Sequence, residues 1–189
     1  TSYGVLYVEY AGSVSADASG NVYLGGETSS TSNIASGGFQ NTHGGGFLDA
    51  FLVKFNSAGA RQWATYYGGV DLDLGLGVTT DASGNVYLGG NTESASGIAS
   101  LGFQNTYGGG FSDAFLVKFN AAGVRQWATY YGGTGNDKSN RVTTDASGNI
   151  YMGGMTTSAS SIASGGFQNT SGGGTQDAFL VKFNVAGNR

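Results

Sequence analysis

The segment Asp-Ala-Phe-Leu-Val-Lys-Phe-Asn begins at Asp49, Asp113 and Asp177, and the constant spacing of 64 residues constrains this chain more than any other feature. A unit repeated without gaps buries its apolar faces against its neighbours, so the period selects a repeat architecture over one irregular core. In the same register Asp17–Asn21 recurs as Asp81–Asn85 and Asp145–Asn149, and Phe39–Thr42 as Phe103–Thr106 and Phe167–Thr170. Arg61–Gly69 returns unchanged as Arg125–Gly133. The units are therefore drawn as 1–64, 65–128 and 129–189. Thr1-Ser2-Tyr3-Gly4 reads as the tail of a further copy, and Arg189 falls where Arg61 and Arg125 fall. Only Gln-Trp-Ala would be needed to join Arg189 to another Thr1, so the third unit is expected to lack its last strand.

Composition narrows the secondary structure. With 36 glycines, no proline and 11% charged residues, the chain favours strands and tight turns over helices. The absence of cysteine excludes disulfides and thiolate metal sites. A formal charge of −4 excludes the clustered basic surface that nucleic acid requires. No apolar run reaches the roughly 18 residues of a membrane span, and no signal peptide is legible at Thr1, so an exported form would carry its targeting segment outside these residues.

Four short strands are expected in each unit. In the second they are Gly77–Thr80, a tight turn at Asp81–Asn85, Val86–Gly90, then Ala114–Phe119, a turn at Asn120–Gly123, and Gln126–Tyr131. Several are apolar on both faces, which suits a sheet sandwiched between two others. A tandem four-stranded antiparallel meander buried on both faces reads as a β-propeller blade. The unit exceeds the usual blade length through an insertion, Gly26–Leu48 and its equivalents, in which Ile34 and Phe39 are expected to pin the loop to the blade. A β-solenoid is the rival architecture, but the shorter sub-period it needs is missing.

The order Tyr-Gly-Gly, Val-Thr-Thr-Asp-Ala-Ser-Gly-Asn-Val-Tyr-Leu-Gly-Gly, Gly-Phe-Gln-Asn, Gly-Gly-Gly, Asp-Ala-Phe-Leu-Val-Lys-Phe-Asn resembles the bacterial SBBP repeat, a β-propeller repeat of surface and secreted proteins. The resemblance spans essentially the whole chain. It implies an all-β propeller fold and an extracellular or bacterial cell-surface setting, and it implies no shared reaction. The chain departs from the family after the second strand, where Ser-Asn-Ile-Ala-Ser stands in place of a segment that often contains proline.

Three blades do not close a ring, which usually needs about four to eight. The terminal faces must then be covered by a second chain in a six-bladed ring, by a longer tandem protein, or by head-to-tail stacking into a filament. Thr1–Gly4 could complete the third unit of another copy by strand addition. Val5–Ala11 alternates apolar residues where the second unit reads Gly69–Gly75, as a lengthened strand at an interface would. Tyr3, Val5 and Tyr7 at one end and Phe179, Val181 and Phe183 at the other are accordingly the candidate assembly interface.

Titratable chemistry is sparse. His43 is the sole histidine, which removes a histidine-cluster zinc site and a repeated Ser-His-Asp triad, and it reads as a solvated loop residue. The recurring Asp17 and Asp49 sets read as turn and strand-start caps, with calcium the alternative. Asp71, Asp73 and Asp137, with Glu9 equivalent, are the candidate calcium ligands because acids cluster there in a Gly-rich turn, although the remaining oxygens of a calcium loop are missing. Lys54, Lys118 and Lys182 read as solvated blade-edge lysines. Trp63, Trp127 and the Tyr66-Tyr67 and Tyr130-Tyr131 pairs read as inter-blade packing, with sugar stacking the alternative. No catalytic residue and no resident cofactor is expected. The function expected is a self-associating extracellular structural protein, with a lectin-like or adhesive propeller that meets glycans or surface proteins through its Ser/Thr/Asn/Gly-rich loops as the alternative.

Overall fold

The computed structural model describes residues 3, 4 and 7–189. Among the described residues eleven strands follow one another: β1 (Glu9–Ala16), β2 (Val22–Thr28), β3 (Asp49–Phe55), β4 (Arg61–Tyr67), β5 (Asp73–Thr80), β6 (Val86–Thr92), β7 (Asp113–Phe119), β8 (Arg125–Tyr131), β9 (Asp137–Thr144), β10 (Ile150–Thr156) and β11 (Asp177–Phe183). Among the described residues there is no helix. The strands form three antiparallel sheets, β1-β2-β3-β4, β5-β6-β7-β8 and β9-β10-β11, each a meander of sequence neighbours. These are propeller blades, two with four strands and one with three, and they do not close on themselves. A boundary drawn at residue 64 or 128 falls inside β4 or β8, because each four-stranded sheet ends only after its second consecutive tyrosine.

The hairpin turns follow from the recurring aspartate. Asp81 Oδ1 accepts the N–H groups of Ser83 at 2.9 Å and Asn85 at 3.0 Å, while Oδ2 accepts Asn85 Nδ2 at 2.8 Å and the Tyr87 hydroxyl at 2.9 Å. Gly84 supplies the left-handed residue at φ 77°. The same contacts surround Asp17 and Asp145. Burial pushes the Asp81 carboxyl upward, but the hydrogen bonds outweigh it and hold the group below its ordinary value.

The first strand of each blade is longer than its sequence pattern implies, starting at Glu9, Asp73 and Asp137 and carrying a bulge. A one-residue bulge breaks the period-2 signal, which hides the leading half of the strand. The lengthened first strand expected over Val5–Ala11 is not found: β1 begins at Glu9, Tyr7 and Val8 precede it, and Val5 and Leu6 fall outside the described residues. First strands lie side by side, joined by Thr80 Oγ1 donating to the Ala16 carbonyl at 3.2 Å and Thr144 Oγ1 to the Thr80 carbonyl at 2.8 Å.

Third strands divide their side chains between two neighbours. Phe115, Val117 and Phe119 share a core with Leu52 and Tyr67 of the preceding blade. Ala114 and Leu116 share one with Val142, Ile150 and Met152 of the following blade. This is the physical meaning of the two-sided apolar run Ala-Phe-Leu-Val-Lys-Phe.

Candidate assembly interface

Blade meets blade through the outer strand. Tyr67, at the end of β4, lies 5.4 Å from the Phe115 ring and 5.9 Å from Phe119, and its hydroxyl donates to the Ile98 carbonyl at 2.5 Å. Trp63 Nε1 and Lys54 Nζ both donate to the Ala121 carbonyl, at 3.1 and 3.0 Å. One period later Tyr131 lies 5.2 Å from the Phe179 ring and edge-on to Phe183 at 5.8 Å, and its hydroxyl donates to the Ile162 carbonyl. Trp127 and Lys118 likewise reach the Val185 carbonyl at 3.1 and 3.2 Å. Of the three lysines expected as solvated edge charges, Lys54 and Lys118 are thus tethers to the next blade's turn, with Lys118 buried, whereas Lys182 is exposed as expected. Both indoles are buried as well, which assigns them to packing.

The insertion is a clasp across the same interface. Ile34 and Ile98 are buried, and the loop backbone bridges the outer strand at Ser36–Ala64 and Ser100–Ala128. Phe39 reaches Tyr67 of its own blade and Phe119 of the next, both at 6.4 Å, and the Arg125 guanidinium covers its ring at 4.3 Å. Phe103 repeats this with Phe183 and Arg189. Phe167, their equivalent in the third blade, is fully exposed.

The two ends show what the internal interfaces cover. Val78 and Val142 are 6% and 9% exposed, whereas the equivalent Val14 is 65% exposed. Leu52 and Leu116 are 0% exposed, whereas Leu180 is 75% exposed. A cavity of about 510 Å³ on the first blade is lined by Val14, Leu24, Phe55, Ser57 and Gly59, among others. A second, of about 360 Å³, lies beside β11 and is lined by Ser158, Ile162, Gln168 and Phe179, among others.

The sequence-predicted interface residues divide between these surfaces. Tyr3 lies on its own first blade, 5.6 Å from Phe51 and 5.9 Å from Phe55 with its hydroxyl on the Ile34 carbonyl, the pose of Tyr67 and Tyr131 on their following blades. Tyr7 is exposed in a bend, and Val5 falls outside the described residues. Phe179, Val181 and Phe183 are buried against the second blade, so their side chains are already engaged within the chain. Leu180, Val14 and the free edge of β11 were missed. Alternation along the strand could have found Leu180, since residues flanking an inward Phe and Val face the other side.

The acidic residues do not converge as the candidate calcium loop requires. The Asp71 side chain is exposed, whereas Asp73 is buried and accepts the Gly69 N–H at 2.8 Å and Ser94 Oγ at 3.0 Å. Asp137 repeats this with Gly133 and Ser158 at 2.8 and 2.7 Å. Among the described residues no three acids, histidines or cysteines group as metal ligands. Asp49, also buried, faces Asp73 instead: a Cβ placed on Gly68 would sit 2.6 Å from Asp49 Oδ1 and 2.7 Å from Asp73 Oδ2. Burial pushes the Asp49 and Asp73 carboxyls each up to about 6 and that of Asp113 to about 7. His43 is half-buried, edge-on to Tyr66 at 5.7 Å with Nδ1 3.8 Å from Asp49 Oδ2, and so is less solvated than its loop position implies.

Residues 126–160 match the β-propeller repeat family SBBP, and the match runs from β8 through β10. The chain is also similar to the regulatory protein FlaEY of Caulobacter vibrioides, at 28% identity over 144 residues. That alignment covers 76% of this chain but only 15% of the relative. The matched segment spans one blade junction that is duplicated one period earlier in blades of the same topology, so the chain is similar to the β-propeller repeat family SBBP.

Proposed function

We propose that this is a non-enzymatic assembly module whose end faces bury against further blade faces, linking copies into a ring or a head-to-tail array at the bacterial surface. One observation carries the reading: the valine and leucine that are covered at both internal junctions stand bare at the ends. Covering them and the cavity walls around them contributes about 1.5–3 kcal/mol per large aliphatic side chain. Monomeric proteins seldom leave such contiguous apolar surface uncovered. The resemblance to surface and secreted repeat proteins supports the extracellular setting. A regulatory function, which the name of the Caulobacter relative states for that protein, is compatible with action through binding alone. A glycan-reading loop face draws less support, because Phe39 and Phe103 are already covered by arginines of the chain itself.

Light scattering across a wide concentration range, with electron microscopy of the same sample, tests the proposal. A dimer with a central hole or a filament is expected, and Leu180→Arg should return the chain to monomer. A chain that stays monomeric at every concentration refutes it.

A further inference from the structure

Two buried aspartates meet at each blade junction and leave the same atoms unpaired. Asp49 opens β3 of the first blade and Asp73 opens β5 of the second, and the Asp73 N–H donates to the Leu48 carbonyl at 2.8 Å, which sets the two residues side by side across the junction. Asp113 and Asp137 repeat this one period later, the Asp137 N–H donating to the Ser112 carbonyl at 2.7 Å. All four residues are 0% exposed. In each, Oδ2 is satisfied: that of Asp49 accepts the Gly44 N–H at 2.5 Å and that of Asp113 the Gly108 N–H at 2.6 Å, while those of Asp73 and Asp137 take the glycine and serine bonds given above. In each, Oδ1 is buried with no hydrogen-bond partner, the Thr92 hydroxyl beside Asp73 being directed to the Ser94 carbonyl at 3.5 Å.

We infer that each pair holds a single proton between its two Oδ1 atoms, a proton-binding site that latches one blade to the next. An ionised carboxylate only accepts hydrogen bonds, so two of them cannot satisfy each other, whereas one protonated carboxyl donates to its neighbour and pairs both orphan atoms at once. Buried polar atoms are otherwise nearly always bonded, and here the same two atoms lack a partner at both junctions. Loss of the proton leaves two like charges in a buried gap, so the junctions are where the fold loosens first as pH rises.

No lysine or arginine offsets the charge. Among the described residues the ion-pair partner of the first pair is His43 alone, 3.8 Å from Asp49 Oδ2, and Tyr107 stands in its place at the second junction. The other titratable groups that face the pairs are Tyr66, Tyr67 and Tyr130 at the first junction and Tyr107, Tyr130 and Tyr131 at the second, with Asp71 and Glu93 near Tyr107. Burial raises the Asp49, Asp73 and Asp113 carboxyls against the hydrogen bonds that lower them, and the facing carboxylate adds to the rise of Asp73 and Asp113, which supports one proton held by two sites.

Infrared spectroscopy and urea unfolding at a series of pH values test the site. A protonated-carboxyl carbonyl band is expected at pH 5 and not at pH 8. Over the same range the folded-to-unfolded ratio should fall by up to about tenfold per pH unit for each proton held only by the native chain. Asp73→Asn puts an amide Nδ2 where the orphan Oδ1 stands, a donor that needs no proton. It should remove one proton's share of the pH dependence, weaken the carbonyl band and raise the thermal midpoint at pH 8. Asp49→Asn should do the same, and the double variant, with two donors facing each other, should gain nothing beyond either single change. Absence of the carbonyl band at pH 5 would overturn the inference. So would additive gains from the two single changes, which mean independent titration, or loss of the first pair's pH dependence in His43→Gln, which puts the proton on the imidazole.

Discussion

Gly59 and Gly123 occupy the same position of the same turn, at φ 78° and 80°, and differ only in whether a blade precedes them. A Cβ added at Gly59 meets nothing within 4 Å, whereas at Gly123 it would sit 2.9 Å from Trp63 Cδ2 and 3.1 Å from Cε2. Gly59→Ala therefore carries only the cost of a left-handed L-residue, about 1–2 kcal/mol. Gly123→Ala carries the same cost plus overpacking of a buried indole held by its hydrogen bond to the Ala121 carbonyl, about 1–3 kcal/mol more. Urea unfolding followed by tryptophan fluorescence reads both, and Trp63 and Trp127 are the only two tryptophans. The expected difference between the variants is therefore about 1–3 kcal/mol, with a shifted native emission in Gly123→Ala alone. Equal costs, within about 0.5 kcal/mol, would refute the claim that the indole seals the blade junction.

Truncating Trp127 to alanine removes a buried indole and its bond to the Val185 carbonyl, and should cost about 3–5 kcal/mol in the same assay. Asp81→Ala strips four hydrogen bonds from one hairpin and should cost about 1–3 kcal/mol, with asparagine recovering part of the loss. Because Asp49, Asp73 and Asp113 have raised native values of about 6, 6 and 7, the native state holds extra protons from about pH 4 up to those values. Stability should therefore fall as pH rises across that window, so the thermal midpoint should be higher at pH 5 than at pH 8, and a flat profile would show that these carboxylates are neutralised by something else. Calcium at millimolar concentration should leave that midpoint at pH 8 unchanged, and a rise would show that the facing carboxylates Asp49 and Asp73 take a cation.

Much of the fold was legible because a repeat states its own register. The Asp81 turn could be read from residue types alone, since a short acceptor, a small residue and a glycine at those offsets close one kind of hairpin. The third strand was equally plain, its two-sided apolar run requiring a neighbour on each face. What escaped was whatever depends on the adjacent blade. Lys54 and Lys118 looked like solvated edge charges, because the Ala121 and Val185 carbonyls that take their ammonium groups lie 67 residues away in sequence. Phe179, Val181 and Phe183 looked like an outer interface, because nothing in a strand's own alternation says which face meets the preceding blade.

The period and the residue types of the unit determined by themselves that the chain forms tandem β-blades, since only neighbours of the same kind can bury a sheet that is apolar on both sides. Only the tertiary structure decided which copies of each residue are covered. Val14 and Val78 are the same residue in the same local sequence pattern, and Leu116 and Leu180 share an identical strand, yet one of each pair is buried and the other bare. Burial is a property of what lies opposite, and for the end blades of a repeat no local sequence encodes it.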